Sequence, residues 1–180
     1  MRIAILPVLT VLLLPVSAGA ASVQDQGFFD SLNKPGAVDA AVAPGLVTAS
    51  RVDLIVAALE KAGFDVSVAK SESGAPRITS TDADRPFAIE FYGCNGGFDC
   101  AYIQFVSAWD LPKGIDAGKI AQWNGDHVWG VATRDGDNDP VLGLSVDLRG
   151  GVTPVNFADT VGLWADTLDD FKGYIGWDKQ

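Results

Sequence analysis

The sequence predicts an α+β fold in which helices pack on an antiparallel sheet of about five or six strands, in the order α-ββββ-α-ββ-α. Three observations predict it. Val52, Ile55, Val56 and Leu59 form a helical stripe; from Phe64 onward the apolar period shortens to two; and Phe157, Val161, Trp164, Leu168, Phe171 and Ile175 return to alternating spacings of four and three.

The first twenty residues read as an address. Met1 and Arg2 make a short basic start, Ile3 to Val16 is almost wholly apolar, and Ala18-Gly19-Ala20 supplies the small-x-small pattern that signal peptidase reads. Cleavage between Ala20 and Ala21 is expected. A membrane anchor fits less well, because the apolar run is shorter than the ~20 residues that span a bilayer and is interrupted by Pro7 and Pro15. Neither cysteine lies near the junction, so an acylated-cysteine anchor has no attachment point. The expected product is periplasmic or secreted, with no membrane span after cleavage.

Without the leader, 160 residues carry a formal charge of −11. That length suits one domain with a single core. The acidic field repels phosphate backbones and anionic lipid surfaces, which argues against nucleic acid as a partner. Residues 21–46 read as an arm, punctuated by Pro35-Gly36 and Pro44-Gly45 and carrying Phe28 and Phe29. The domain proper spans 47–177.

The first helix takes Thr48 or Ser50 as its expected N-cap, with Asp53 favouring the positive end, and stops at Gly63, which tolerates a left-handed C-cap. Strands follow at Phe64, Val66 and Val68, at a shorter run around Ile78, and at Phe87, Ile89 and Phe91. The next strand, roughly Ala101 to Trp109, is apolar on both sides: Ile103 and Phe105 on one, Tyr102 and Val106 on the other. Either both faces are covered or one is an interaction surface.

Cys94 and Cys100 are the only cysteines, and an exported pair belongs in an oxidising compartment. A structural disulfide between these strands is expected, restricting the unfolded chain by roughly 2–2.5 kcal/mol on the loop-entropy account. A redox dithiol prefers the tighter Cys-x-x-Cys at a helix start. A metal site needs more ligands, and His127 is the sole histidine.

Ile120 and Trp123, three apart, mark one side of a short helix, so Trp123 reads as core. Val128 to Thr133 and Val141 to Leu148 form a hairpin whose second strand alternates Leu142, Leu144, Val146 and Leu148 with Gly143, Ser145 and Asp147. Asp135, Asp137 and Asp139 between them resemble the start of a calcium loop. An EF-hand beginning at Asp135 would need Gly and Glu where Pro140 and Val146 stand. Asp135-Gly136 therefore reads as a hairpin turn. Thr153 as N-cap and Pro154 as first helical residue open the last helix. Its apolar seam is read as core, with a dimer seam as the functional alternative.

Trp123-Asn124, the Asp135–Asp139 segment, Gly150-Gly151-Val152-Thr153, Ala62-Gly63-Phe64 and Phe91-Tyr92-Gly93-Cys94 with Cys100 occur in an order that resembles the YbjN family over about Leu46 to Ile175. The resemblance implies a fold like that of type III secretion chaperones, a shape associated with binding polypeptides and with self-pairing, and a role in sensory transduction regulation. It implies no catalytic residue.

The expected function is thus a non-catalytic, chaperone-like or regulatory module with a polypeptide partner, and a homodimer is a further possibility. The alternative is a small-molecule or stress-sensing domain in which Trp109 or Trp129 lines a pocket for an apolar or aromatic ligand. Trp109, Trp129 and Phe98 are the candidate partner- or ligand-binding residues. A hydrolase ranks third: His127 sits beside Asp126 in a connection, and there is no Gly-x-Ser-x-Gly elbow, Walker loop or dinucleotide fingerprint. No catalytic, cofactor-binding or metal-binding residue is assigned.

Overall fold

A computed structural model describes residues 44–177. The leader, the Ala20–Ala21 junction and the arm with Phe28 and Phe29 lie outside the described residues. Three helices, α1 (Val52–Lys61), α2 (Ala117–Asp126) and α3 (Pro154–Ile175), accompany six strands. These are β1 (Val66–Lys70), β2 (Pro76–Ser80), β3 (Ala88–Tyr92), β4 (Tyr102–Ala108), β5 (Val131–Arg134) and β6 (Pro140–Asp147). The strands form one antiparallel sheet in the order β1-β2-β3-β4-β6-β5, and the chain order matches the α-ββββ-α-ββ-α expectation. Because the 5–6 hairpin folds back onto β4 through β6, the sheet has two edges, β1 and β5.

The seam of α3 organises the core. Phe157, Val161, Trp164, Leu168 and Phe171 are all fully buried within the single chain, so the seam is occupied by the sheet and not available to a second copy. Trp164 packs its ring against Phe105 at 5.4 Å and Phe87 at 5.9 Å, and Phe171 packs against Trp123 at 4.8 Å and Trp109 at 5.3 Å. The sheet contributes Ile78, Ile89, Phe91, Ile103, Phe105, Leu142 and Leu144 to the same core. Thr153 caps α3 as expected, its hydroxyl accepting from the Asn156 N–H at 3.2 Å, with Pro154 in the first turn. No helix among the described residues is long and apolar enough to cross a membrane.

Helix α1 ends as its sequence indicates. Gly63 adopts φ +87°, its N–H reaches the Glu60 carbonyl, and the Phe64 N–H reaches that of Leu59. This is a Schellman closure, and the buried pair Leu59 and Phe64 supplies its usual apolar contact. The start differs from expectation. Arg51, not Thr48 or Ser50, occupies the N-cap, and no side chain caps the helix. The Ser50 hydroxyl turns instead to Asp99 at 3.4 Å, and Asp53 is held by the Arg51 guanidinium at 2.9 and 2.7 Å.

Two further expectations are corrected. Val68 alternates with Val66 in sequence, yet it is 52% exposed, because β1 runs at the sheet's edge beyond full cover by the helices. The β5–β6 turn places its left-handed residue at Asn138 (φ +66°), not at an Asp-Gly pair. Asp135 Oδ1 accepts from the N–H groups of Asp137 and Asp139, and Asp139 Oδ1 accepts from the Leu111 N–H, so two of the three aspartates are spent on backbone. Among the described residues no three metal-type side chains converge.

Removing the Trp164 indole should open a large void between α3 and the sheet. Trp164→Ala is expected to lower unfolding free energy by about 3–5 kcal/mol in urea denaturation, whereas Val155→Ala, at an exposed position of the same helix, should change it by no more than about 0.5 kcal/mol.

Candidate functional site

Register decides which side chains share a face. Glu90 pairs with Gln104 and Tyr92 with Tyr102; Gln104 pairs with Ser145 and Val106 with Gly143; Val131 pairs with Gly143 and Thr133 with Val141. Their neighbours Ile89, Phe91, Ile103, Phe105, Leu142 and Leu144 point into the helix-covered core, so this second set lies on the opposite face. Among the described residues no helix covers that face. The two-sided apolar character of β4 therefore resolves as one covered side and one open side.

At one end of the open face Tyr92 and Tyr102 stack at 5.4 Å, and the Tyr92 hydroxyl donates to Gln104 Oε1 at 3.4 Å. Partial burial, then the nearby Glu90 carboxylate and Tyr102, push the Tyr92 phenol above its ordinary range, keeping it a donor. Glu90 is itself paired with Arg77 at 2.9 Å. At the other end a depression of about 600 Å³ is lined by Gln104, Val106, Trp129, Val131, Thr133 and Ser145, among others. Its floor is low because β6 contributes Gly143, where an added Cβ would come within 3.1 Å of Gln104 Nε2. The rim is apolar and exposed: Val128 at 89%, Val131 at 63% and Trp129 at 53%.

This rim is held out by α2. The His127 ring stacks on Trp123 with centroids 3.5 Å apart, and its Nδ1 lies 3.0 Å from the Trp123 carbonyl oxygen. Trp123 is buried and donates its indole N–H to the Gly130 carbonyl at 2.8 Å. Gly130 sits at φ +74°, where an added Cβ would meet Thr167 at 2.5 Å; no larger residue could make this approach to α3. One residue later Asn124 brackets Ala132, donating to its carbonyl at 2.9 Å and accepting its N–H at 2.8 Å. The Asp135 N–H pairs with the Asp139 carbonyl, so by antiparallel alternation Thr133 and Val131 face β6 while Ala132 and Gly130 face outward. Trp123 thus occupies the outward carbonyl of Gly130 at the entry to edge strand β5, and Asn124 both outward groups of Ala132 within it, where another strand would otherwise pair.

Of the residues named from sequence, only Trp129 lines the depression. Phe98 is 70% exposed at the tip of the loop closed by the Cys94–Cys100 disulfide. Trp109 cannot line a surface pocket: it is buried on the helix side against Phe171, and its indole N–H finds no acceptor. The structure does not bring the three together. Sequence reasoning missed Gln104, Val128 and Val131. The signal for Val131 was its small neighbour: Ala132 points inward and the larger Val131 outward, the reverse of a strand whose bulk faces the core.

The model of the YbjN family, described as "Putative bacterial sensory transduction regulator", matches residues 51–177. No curated protein and no solved structure matches the chain.

Asn124→Ala would leave the buried Ala132 amide and carbonyl without partners, at an expected cost of about 1–3 kcal/mol. Hydrogen exchange checks it: the Ala132 amide should lose protection while amides in β3 and β4 keep theirs, and unchanged protection at Ala132 would refute the edge-sealing role of Asn124.

Proposed function

The chain belongs to the YbjN family, and from that premise we propose that it is an exported, non-catalytic module of regulatory, chaperone-like type that binds segments of other polypeptides on the helix-free face of its sheet. The observation that carries this reading is the exposed apolar rim of Val128, Trp129 and Val131 over the depression between β4, β6 and β5. Contiguous exposed apolar surface of this kind, rimmed by polar groups such as Gln104, Thr133 and Ser145, favours association. An amphipathic aromatic side chain at its centre is the residue type that anchors interfaces. The acidic chain favours neutral or basic segments as partners.

A non-catalytic role is supported by how the reactive side chains are used. The only histidine is stacked on Trp123, and the two cysteines are joined to each other. Export is supported by the leader pattern ending at Ala20 and by that cysteine pair. The volume of the depression favours a second reading, a small apolar ligand held against Trp129, since about 600 Å³ lies within the range of small-molecule sites.

The test uses protein expressed with its own leader in a bacterial host and purified from the periplasm, where the mature chain should begin at Ala21. Extended peptides with alternating apolar residues and net positive charge are titrated against it, with affinity read by anisotropy. Trp129→Ala is expected to weaken binding by about tenfold or more, the loss of an aromatic anchor worth about 1.4 kcal/mol or above, without changing the melting temperature. Equal affinity for the variant would sink the assignment of this face. Quenching of Trp129 by small apolar solutes with no peptide binding would favour the second reading.

A further inference from the structure

Asn-Gly occurs twice in the chain and Asp-Gly once, at Asn95-Gly96, Asn124-Gly125 and Asp135-Gly136. In such pairs the side-chain carbonyl carbon is open to attack by the next backbone nitrogen, because glycine puts no Cβ in the way. The structure separates the three. Asn124 has both ends of its amide engaged by the Ala132 backbone, and helical bonding within α2 takes the Gly125 N–H. Asp135 Oδ1 holds the N–H groups of Asp137 and Asp139. Asn95 and Gly96 are both exposed, and neither the Asn95 side-chain amide nor the Gly96 N–H has a hydrogen-bond partner among the described residues.

The backbone around Asn95 is a tight turn. Its N–H donates to the Phe98 carbonyl at 2.7 Å, the Phe98 N–H donates to the Asn95 carbonyl at 3.1 Å, and Gly96 and Gly97 between them take φ +61° and +84°. Two successive positive φ values are those of a type I′ turn. Three anchors hold this turn in place. The Cys94–Cys100 disulfide closes it, Gly97 is buried so close to Gly74 that an added Cβ would lie 3.0 Å from its carbonyl, and Asp99 accepts from the Ser50 hydroxyl at 3.4 Å. Phe98 stands out from it, 70% exposed.

We propose that Asn95 is a site of spontaneous deamidation, and that conversion to isoaspartate releases Phe98 from the turn. The Gly96 nitrogen, having given its proton to solvent base, attacks Asn95 Cγ. The Cγ–Nδ2 bond breaks, the departing nitrogen takes a proton from solvent and leaves as ammonia, and a succinimide ring is closed. Water then opens the ring. Opening at the main-chain carbonyl leaves the backbone running through Cγ, as isoaspartate; opening at Cγ leaves aspartate. Nothing is oxidised or reduced, and water is the only co-reactant.

The two products act differently on the loop. Aspartate keeps the backbone as it was and adds a carboxylate to a loop that already holds Asp99. Isoaspartate inserts a methylene into the main chain of a turn whose ends are fixed by the three anchors, so the paired bonds between Asn95 and Phe98 cannot both be kept. The site lies in the β3–β4 connection and does not depend on the polypeptide-binding reading.

The purified protein, incubated at mildly alkaline pH, tests the proposal. After disulfide reduction and digestion, mass spectrometry with electron-transfer fragmentation locates each conversion and separates isoaspartate from aspartate. Asn95 is expected to convert at least about tenfold faster than Asn124, which reacts only after a local opening that breaks both of its bonds to Ala132. Conversion should quicken as pH rises, since the attacking nitrogen must lose its proton. Asn95→Gln, which would have to close a larger ring, should stay unconverted over the same period. In amide hydrogen exchange the Phe98 N–H should lose protection in the isoaspartate form and keep it in Asn95→Asp. An unconverted Asn95, conversion of Asn124 at an equal rate, or undiminished Phe98 protection in the isoaspartate form would overturn the proposal.

Discussion

The burial of one face of α3 under one face of the sheet is the constraint on which the rest of the structure depends. Five large side chains, from Phe157 to Phe171, are fully excluded from water along a single helical seam. Burying each contributes about 1.5–3 kcal/mol relative to exposure, so no arrangement that leaves this seam uncovered can compete. The long helix takes the middle of the sheet, and α1 and α2 fill in beside it. The consequence is one-sidedness: all three helices of the described residues share a face, and β4, whose residues are apolar on both sides, keeps Tyr102 and Val106 half-exposed on the other.

A one-sided sheet creates two problems, an open face and open edges, and the chain treats them selectively. Trp123 and Asn124 act as a side-chain surrogate for a neighbouring strand along β5, satisfying Gly130 and Ala132 with good hydrogen-bond geometry. The same clamp fixes the entry to β5, so Val128 and Trp129 are presented above the sheet by a rigid support instead of by a loose loop. Stability and presentation thus come from one pair of residues. At the far end of β4, the Cys94–Cys100 bridge closes the β3–β4 connection and presents Phe98 separately.

Much of the fold was legible in the sequence because it rests on periodicity. The seam of α3, the Thr153-Pro154 start, the Gly63 stop and the alternation of β6 each follow from local patterns with a single dominant outcome. The features that were not legible depend on long-range partners. Ser50 has the chemistry of a cap, but Asp99, 49 residues away, takes its hydroxyl. Trp109 has the chemistry of a binding residue, but only the packing of Phe171 reveals that it is core. Asn124 looks like an ordinary helix residue until β5 is beside it. The open face was half legible: the double-sided β4 announced a choice, and the position of α3 made it.

The central claim is that recognition occurs on the face the helices leave open. Amide and methyl NMR of isotope-labelled protein during titration with a bound peptide tests it most directly. The account predicts perturbations at Gln104, Val106, Val131 and Ser145, with the seam residues of α3 unmoved. Perturbations confined to the outer surfaces of α1 and α3, with β4 and β5 silent, would contradict it.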